Sequence, residues 1–230
     1  MSNFNSDGSQ DHDGDDRGEL AWNEFDWERY LREQDGTVSR YLTFYEAAQG
    51  DRNRIDTVAE KMGWGHDDWS DDGDSDDSED DDDDDDDDDS ASFDDEVYTV
   101  HQNPIFIATK AIALGLRQSW EKLAMDGTKV PQPLGVGLLG SLNRCEEHAV
   151  QAIHALDFGD YAMAVSLFKR AMSSLNHALS LLNDEAVAQH AVVATWRGDA
   201  LPRLFDLREI WLRVMAECRE ECDRPVDGEN

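Results

Sequence analysis

Apolar positions recur at helical spacing in two separated stretches of the chain. In the first, Leu20, Trp22, Phe25, Trp27, Tyr30 and Leu31 fall close to a 3.6-residue period. Asp35-Gly36 reads as a helix stop. Thr37 then caps a second predicted helix bearing Val38, Tyr41, Leu42 and Tyr45 and ending at Gly50. A third begins near Asp51 or Asn53, lines one face with Ile55, Val58, Ala59 and Met62, and stops at Gly63.

The second stretch opens at Asn103-Pro104, a capping residue followed by proline at the first helical position. Ile105, Ile112, Leu116, Trp120 and Leu123 form its stripe, which halts at Asp126-Gly127. A helix over about 134–156 turns inward Leu138, Leu142, Cys145, Ala149, Ala152 and Ile153. Gly159-Asp160 leads into a helix with the arc Tyr161, Ala164, Val165, Phe168, Ala171, Met172, Leu175, Leu179 and Leu182. Asn183-Asp184 caps a shorter helix to about Trp196, and Arg197-Gly198-Asp199 leads into the last one, about 201–222. The best strand candidate, residues 96–101, is short and reads equally well as an extended lead-in to the first helix of this stretch.

The pattern predicts an all-α protein. A C-terminal antiparallel up-down helical bundle of four or five helices is joined to a small N-terminal three-helix module by a disordered acidic linker. The expected divisions are a disordered 1–18, an aromatic-rich helical module over 19–64, a polyacidic linker over 65–97, the bundle over 98–223 and a disordered tail over 224–230.

Charge sharpens this division. The 230 residues carry a formal net charge of −33 from 53 acids and 20 bases. Residues 67–96 hold 21 of those acids and no base, including an unbroken aspartate run over 80–89. Like charges so close repel, and the segment has little apolar surface to bury, so an extended, solvated tract is expected. A chain of this sign is not expected to neutralise phosphates, so no direct nucleic-acid binding is anticipated. No stretch approaches the apolar length of a membrane span. The first residues lack the basic and apolar regions of a secretory signal, and three cysteines without CxxC spacing suit a reducing compartment. A cytoplasmic protein is the expectation.

Five local patterns bear on chemistry. Asp68, Ser70, Asp72, Gly73 and Glu79 resemble the ligand spacing of an EF-hand calcium loop. Ser75 stands where that loop needs an apolar residue, and polyaspartate occupies the place where a helix should leave, so a solvated linker is the preferred reading. Residues 55–63 resemble the first helix and turn of a helix-turn-helix, but the residues C-terminal to them are rich in aspartate and would repel DNA. Gly159, Asp160, Tyr161, Ala164, Phe168 and Ala171 resemble the second-helix half of a tetratricopeptide repeat. The preceding helix departs from that pattern at His148, Gln151 and Ala155, and the chain has no second copy, which leaves a tight helical hairpin.

Arg170 and His177, seven residues apart on one helix face, resemble the Arg/His pair of HEPN-type ribonucleases, which would imply acid–base catalysis. The residue after Arg170 is the core-facing Ala171, unlike the polar residue usual there. Cys145, His148, Cys218 and Cys222 present soft ligands at the spacing two facing helices offer zinc. Cys145 and Cys218 also continue inward stripes, where a thiol packs as a small hydrophobe. Core packing is preferred, and no cofactor is implied.

Two features point to surfaces. Ile107, Leu114 and Met125 lie opposite the main stripe of their helix, among Lys110, Arg117 and Lys122, as if that helix were buried from two sides. Arg208 and Arg219 fall inside an arc of Leu201, Leu204, Phe205, Leu212 and Met215, where they either snorkel or meet a carboxylate. These five residues are the candidate interaction positions. The function expected is that of a non-enzymatic interaction or scaffold protein, with a protein partner of basic surface and homo-oligomerisation as a further reading. The alternative is a small metal-binding or ribonuclease-like catalytic bundle.

Overall fold

A computed structural model describes residues 23–65, 99–184, 187 and 189–224. Leu20, Trp22, the EF-hand-like spacing from Asp68 to Glu79 and nearly all the segments expected to be disordered lie outside the described residues. Within them the fold is all-α, with no strand. The α-helices whose bounds fall within the described residues run in order: α1 (Glu24–Ala47), α2 (Arg54–Met62), α3 (Pro104–Ala124), α4 (Gln132–Asp157), α5 (Tyr161–Leu182) and α6 (Ala191–Asp223). Of the strand candidate only residues 99–101 are described, and these lead into α3: Thr99 is extended and Val100–Gln102 forms a 3-10 turn.

Local chemistry sets most of the helix ends. Asn103 accepts from the backbone N–H of Ile105 at 2.9 Å, with Pro104 beginning α3. Asn23 and Asp26 form a reciprocal capping box at the start of α1. Gly63 ends α2 at φ +82°, a left-handed conformation that a Cβ would strain.

Two expected breaks are absent, for one physical reason. Helix α1 runs straight through Asp35-Gly36. The hydroxyl of Thr37 donates to the Glu33 carbonyl at 3.2 Å and that of Ser39 to the Asp35 carbonyl at 2.8 Å, so both bond back into the helix and neither caps a new one. The buried Tyr30, Tyr41 and Tyr45 stay on one stripe only if the helix is continuous. An interior glycine costs about 1 kcal/mol, less than burying one of these rings gains. The expected three-helix module is therefore two helices among the described residues.

The chain from Arg197 to Asp199 likewise lies inside α6, as does Pro202. Pro202 has no N–H to give the Gly198 carbonyl, a cost of about 3 kcal/mol in a helix interior. Burial on both sides of it offsets that. Val193, Trp196, Ala200, Leu204, Leu207 and Trp211 continue one stripe through the proline. The indole N–H of Trp196 donates to Ser119 Oγ at 3.0 Å and that of Trp211 to Thr109 Oγ1 at 3.1 Å, so both halves of α6 are tied to α3.

Helix α3 is central, packed by α1, α4 and α6, while α5 sits against α4 and α6. Tyr41, Tyr45, Ile55 and Val58 share one continuous core with Trp120, Phe168 and Trp211. The expectation that α3 is buried from two sides therefore has an intramolecular basis at Ile107, which is buried. No helix among the described residues is long and apolar enough to cross a membrane.

Candidate functional site

The seam between the first two helices and α6 concentrates the fold's long-range polar chemistry. Three arginine–carboxylate pairs cross it among the described residues. Arg54 of α2 meets Asp206 of α6, Arg203 of α6 meets Glu46 of α1, and Arg213 of α6 meets Asp56 of α2. Arg203 and Arg213 each engage both oxygens of their carboxylate, the fork-to-fork arrangement that fixes orientation as well as distance. Hydrogen bonding to Asp56 holds the Arg213 guanidinium above its ordinary range, and a 3.1 Å bond to Glu209 adds to this.

Beneath the Asp56–Arg213 pair lies a partly enclosed groove of about 360 Å³. Its base is formed by the buried side chains Ile55, Ala59, Ile210 and Val214, with Trp64 and Gly65 closing one end. Glu60 and Glu217 stand at its edge with Asp56 and Arg213. Three carboxylates thus face one guanidinium. Trp64 is held by stacking on Tyr41, with centroids 5.6 Å apart. A shallower, more open depression lies between Ser119, Lys122 and Leu123 of α3 and Val192, Thr195, Trp196 and Asp199 of α6.

Burial raises the phenol of Tyr41 well above its usual range, helped by the Asp206 charge. Burial does the same to Tyr45, whose hydroxyl also donates to Asp206. On α4, the buried Glu146 receives Lys110 Nζ and Arg117 Nη1 at 2.8 Å each, so this interior carboxylate is doubly paired. These lysine and arginine side chains account for part of the mixed second face of α3. The imidazole of His101 lies edge-on to Tyr30 and to Phe106, with Nδ1 buried and without a hydrogen-bond partner.

The residues singled out from sequence are dispersed. Arg170 and His177 are exposed on α5 and line neither the groove nor the shallower depression. Cys145 is buried on α4 and Cys218 on α6, His148 is half-buried, and Cys222 is exposed in the last turn of α6. Burial pushes the Cys145 thiol far up and that of Cys218 to about 11, which opposes the thiolate form that zinc requires. Among the described residues, no three His, Cys, Asp or Glu side chains gather as a metal-ligand set.

The five interaction candidates also separate. Ile107 is buried, Leu114 half-buried and Met125 85% exposed. Arg208 is exposed, and Arg219 is exposed while donating to the Met215 carbonyl at 3.2 Å. Phe205 and Leu212 are exposed beside them, whereas Leu204 and Met215 of the same arc are buried, so the arc divides between outside and inside. The inward face runs through Leu204, Leu207, Ile210, Trp211, Val214 and Cys218 instead. Sequence patterning alone does not reveal the groove. The seam's trace in the sequence is Arg54, a cation at the start of an apolar stripe, together with Arg203 and Arg213 on the final helix.

The chain matches no family model, no curated protein and no solved structure.

Proposed function

We propose that this protein is a non-enzymatic cytoplasmic interaction protein that binds the basic surface of a protein partner, its acidic tract supplying long-range attraction. The observation that carries this reading is one of placement. A groove with an apolar base and an excess of carboxylates ends at Gly65, and from there the chain runs into a segment with 21 acids and no base. Such a charge density raises the local concentration of cationic partners and accelerates their encounter. The described residues form a helical core without a metal-ligand cluster or a disulfide, which suits a binding role. The catalytic alternative has less support, because Arg170 and His177 lie apart from both concave surfaces.

The test is binding of a lysine-rich protein to the full chain and to a variant lacking residues 75–90, at low and high salt. The full chain should bind at low salt and release as ionic strength shortens the Debye length to a few ångströms, about 3 Å at 1 M. Deletion should weaken binding at low salt. Equal binding by the two proteins there would overturn a binding role for the tract.

A further inference from the structure

The seam between α3 and α6 is covered along part of its length and open beyond it. Leu42 and Glu46 of α1 reach over Gly115 of α3 and Arg203 of α6. One turn further along both helices, from Ser119 and Asp199, the seam opens into the shallow depression, about 580 Å³ in volume. Leu123, Val192 and Trp196 give it an apolar floor. Met125 stands almost fully exposed one turn beyond Lys122.

The two walls carry opposite charges. Lys122 of α3 and Asp199 of α6 are both exposed, and neither has an ion-pair partner among the described residues.

We propose that this depression is the contact face of a homodimer. A two-fold axis through its centre places Lys122 of each copy against Asp199 of the other, and Met125 of each copy in the other's depression.

A two-fold interface requires one surface that is complementary to itself. Unlike charges on opposite walls satisfy this, because the rotation exchanges the walls. A protruding Met125 beside a hollow satisfies it in shape, and a flexible thioether adapts to the space it enters. Other occupants gain less. The two wall charges cancel, so the depression attracts neither a basic nor an acidic partner. It is also too open to enclose most of a small ligand's surface, as binding pockets do.

The net charge of −33 acts mainly at a distance from this contact. The acidic tract joins the helices at Gly65, beside Val214, and at Thr99, ahead of α3. At about 1.5 Å per helical residue, these points lie about 20 Å from Asp199 along α6 and about 30 Å from Lys122 along α3. Either distance exceeds two Debye lengths of about 8 Å at physiological salt, so screening limits the repulsion between copies.

Sedimentation equilibrium of the full chain at about 0.15 M salt tests the proposal. The mass should rise with concentration from 26.0 kDa toward twice that value. Lys122→Asp and Asp199→Lys, each at an exposed position, should weaken the dimer at least about tenfold, because either change opposes like charges at two places. Mixing these two variants should restore association, since both pairs in the mixed dimer again join unlike charges. Neither misfolding nor an interface elsewhere gives that rescue. Met125→Asp should also weaken the dimer, and deletion of residues 75–90 should leave it intact or tighten it.

A mass of 26.0 kDa at every concentration up to about 1 mM would overturn the proposal and leave the depression to a different partner. A dimer indifferent to both charge reversals, or weakened by them and not rescued by mixing, would overturn it as well. Loss of the dimer on deletion of residues 75–90 would assign self-association to the acidic tract instead.

Discussion

Arg54 Nε donates to Asp206 Oδ2 at 2.9 Å, and the hydroxyl of Tyr45 donates to the same oxygen, so α1, α2 and α6 converge on one carboxylate. The Arg54 guanidinium also lies 3.9 Å over the Tyr45 ring. With Arg54 at 7% exposure and Asp206 at 22%, the pair is largely shielded from water. Removing one partner leaves the other charge stranded. Asp206→Ala should therefore destabilise the fold by about 2–3 kcal/mol, below the full range for buried pairs because Asp206 keeps some solvent. Arg54→Met with Asp206→Leu should cost less than that single change, since neither variant residue needs a counter-charge. Urea unfolding of the three proteins checks the order; a double variant less stable than Asp206→Ala would contradict it.

Gly115 of α3 lies under side chains of α1 and α6. A Cβ built there would lie 3.0 Å from Leu42 Cδ1 and 3.1 Å from Arg203 Nη1. Both are the far ends of flexible side chains. Alanine in a helix interior gains about 1 kcal/mol over glycine, and moving those two ends costs a similar amount. Gly115→Ala should stay within about 1 kcal/mol of wild type. Gly115→Leu should lose at least about 2 kcal/mol, because its bulk displaces Leu42 and the Arg203–Glu46 pair together. Thermal unfolding of both variants separates the two outcomes.

The three thiols differ sharply in access. Cys145 and Cys218 are buried and Cys222 is exposed. Burial first, and neighbouring acids after it, hold both buried thiols protonated well above neutral pH. A disulfide-exchange reagent at neutral pH should therefore modify one thiol rapidly and the other two only on unfolding. Cys222→Ser should abolish the fast phase. A fast phase that survives it would show that α6 opens locally. Purified protein should also carry no stoichiometric zinc, and metal analysis of the same sample reads this directly.

Much of the fold is legible from periodicity because four helix starts or stops carry strong local signals. Asn103-Pro104, Gly63, Gly159-Asp160 and Asp126 act through caps and left-handed glycines, which depend on few neighbours. The failures at Gly36 and at 197–199 have the opposite character. There the local signal says stop, and burial of Tyr30 with Tyr41, or of Trp196 with Trp211, overrides it through contacts 70 to 100 residues away. Arg208 and Arg219 lie on the exposed side of α6, which carries apolar residues on more than one face, so only packing decides which face turns in. The groove is invisible in the sequence for a related reason. Its base and edge come from α2 and α6, which are some 150 residues apart, and the pairing of Arg213 with Asp56 leaves no spacing in the sequence.

His101 supplies an acid-side test. Burial, with lesser contributions from His154 and Lys110, lowers its affinity for a proton, while Asp35 opposes them. Its neutral form is therefore favoured in the folded state. The stability it contributes is complete above the unfolded value of about 6.5 and is lost as pH falls through the lower folded value. His101→Phe should flatten the fall in stability below about pH 6.5 while keeping the edge-on contacts to Tyr30 and Phe106. An unchanged slope in urea unfolding across that window would refute the assignment.

On the alkaline side the sign reverses. Tyr41 and Tyr45 both have phenols raised above their ordinary value, mainly by burial and then by Asp206, which accepts from Tyr45 and repels any phenolate beside it. The folded state thus favours the neutral phenols. Their contribution is complete below the unfolded value of about 10 and is lost as pH rises toward the higher folded values. Tyrosinate absorbance should accordingly show Tyr41 and Tyr45 failing to ionise near pH 10, then ionising together with loss of helical signal. Tyr45→Phe should remove one phenol from that delayed group and forfeit about 1 kcal/mol for the hydrogen bond at neutral pH. It should also weaken the hold of α1 on α6, because Asp206 would keep Arg54 alone. A smooth titration of all five tyrosines near pH 10, with helicity intact, would show that the convergence on Asp206 is not maintained in solution.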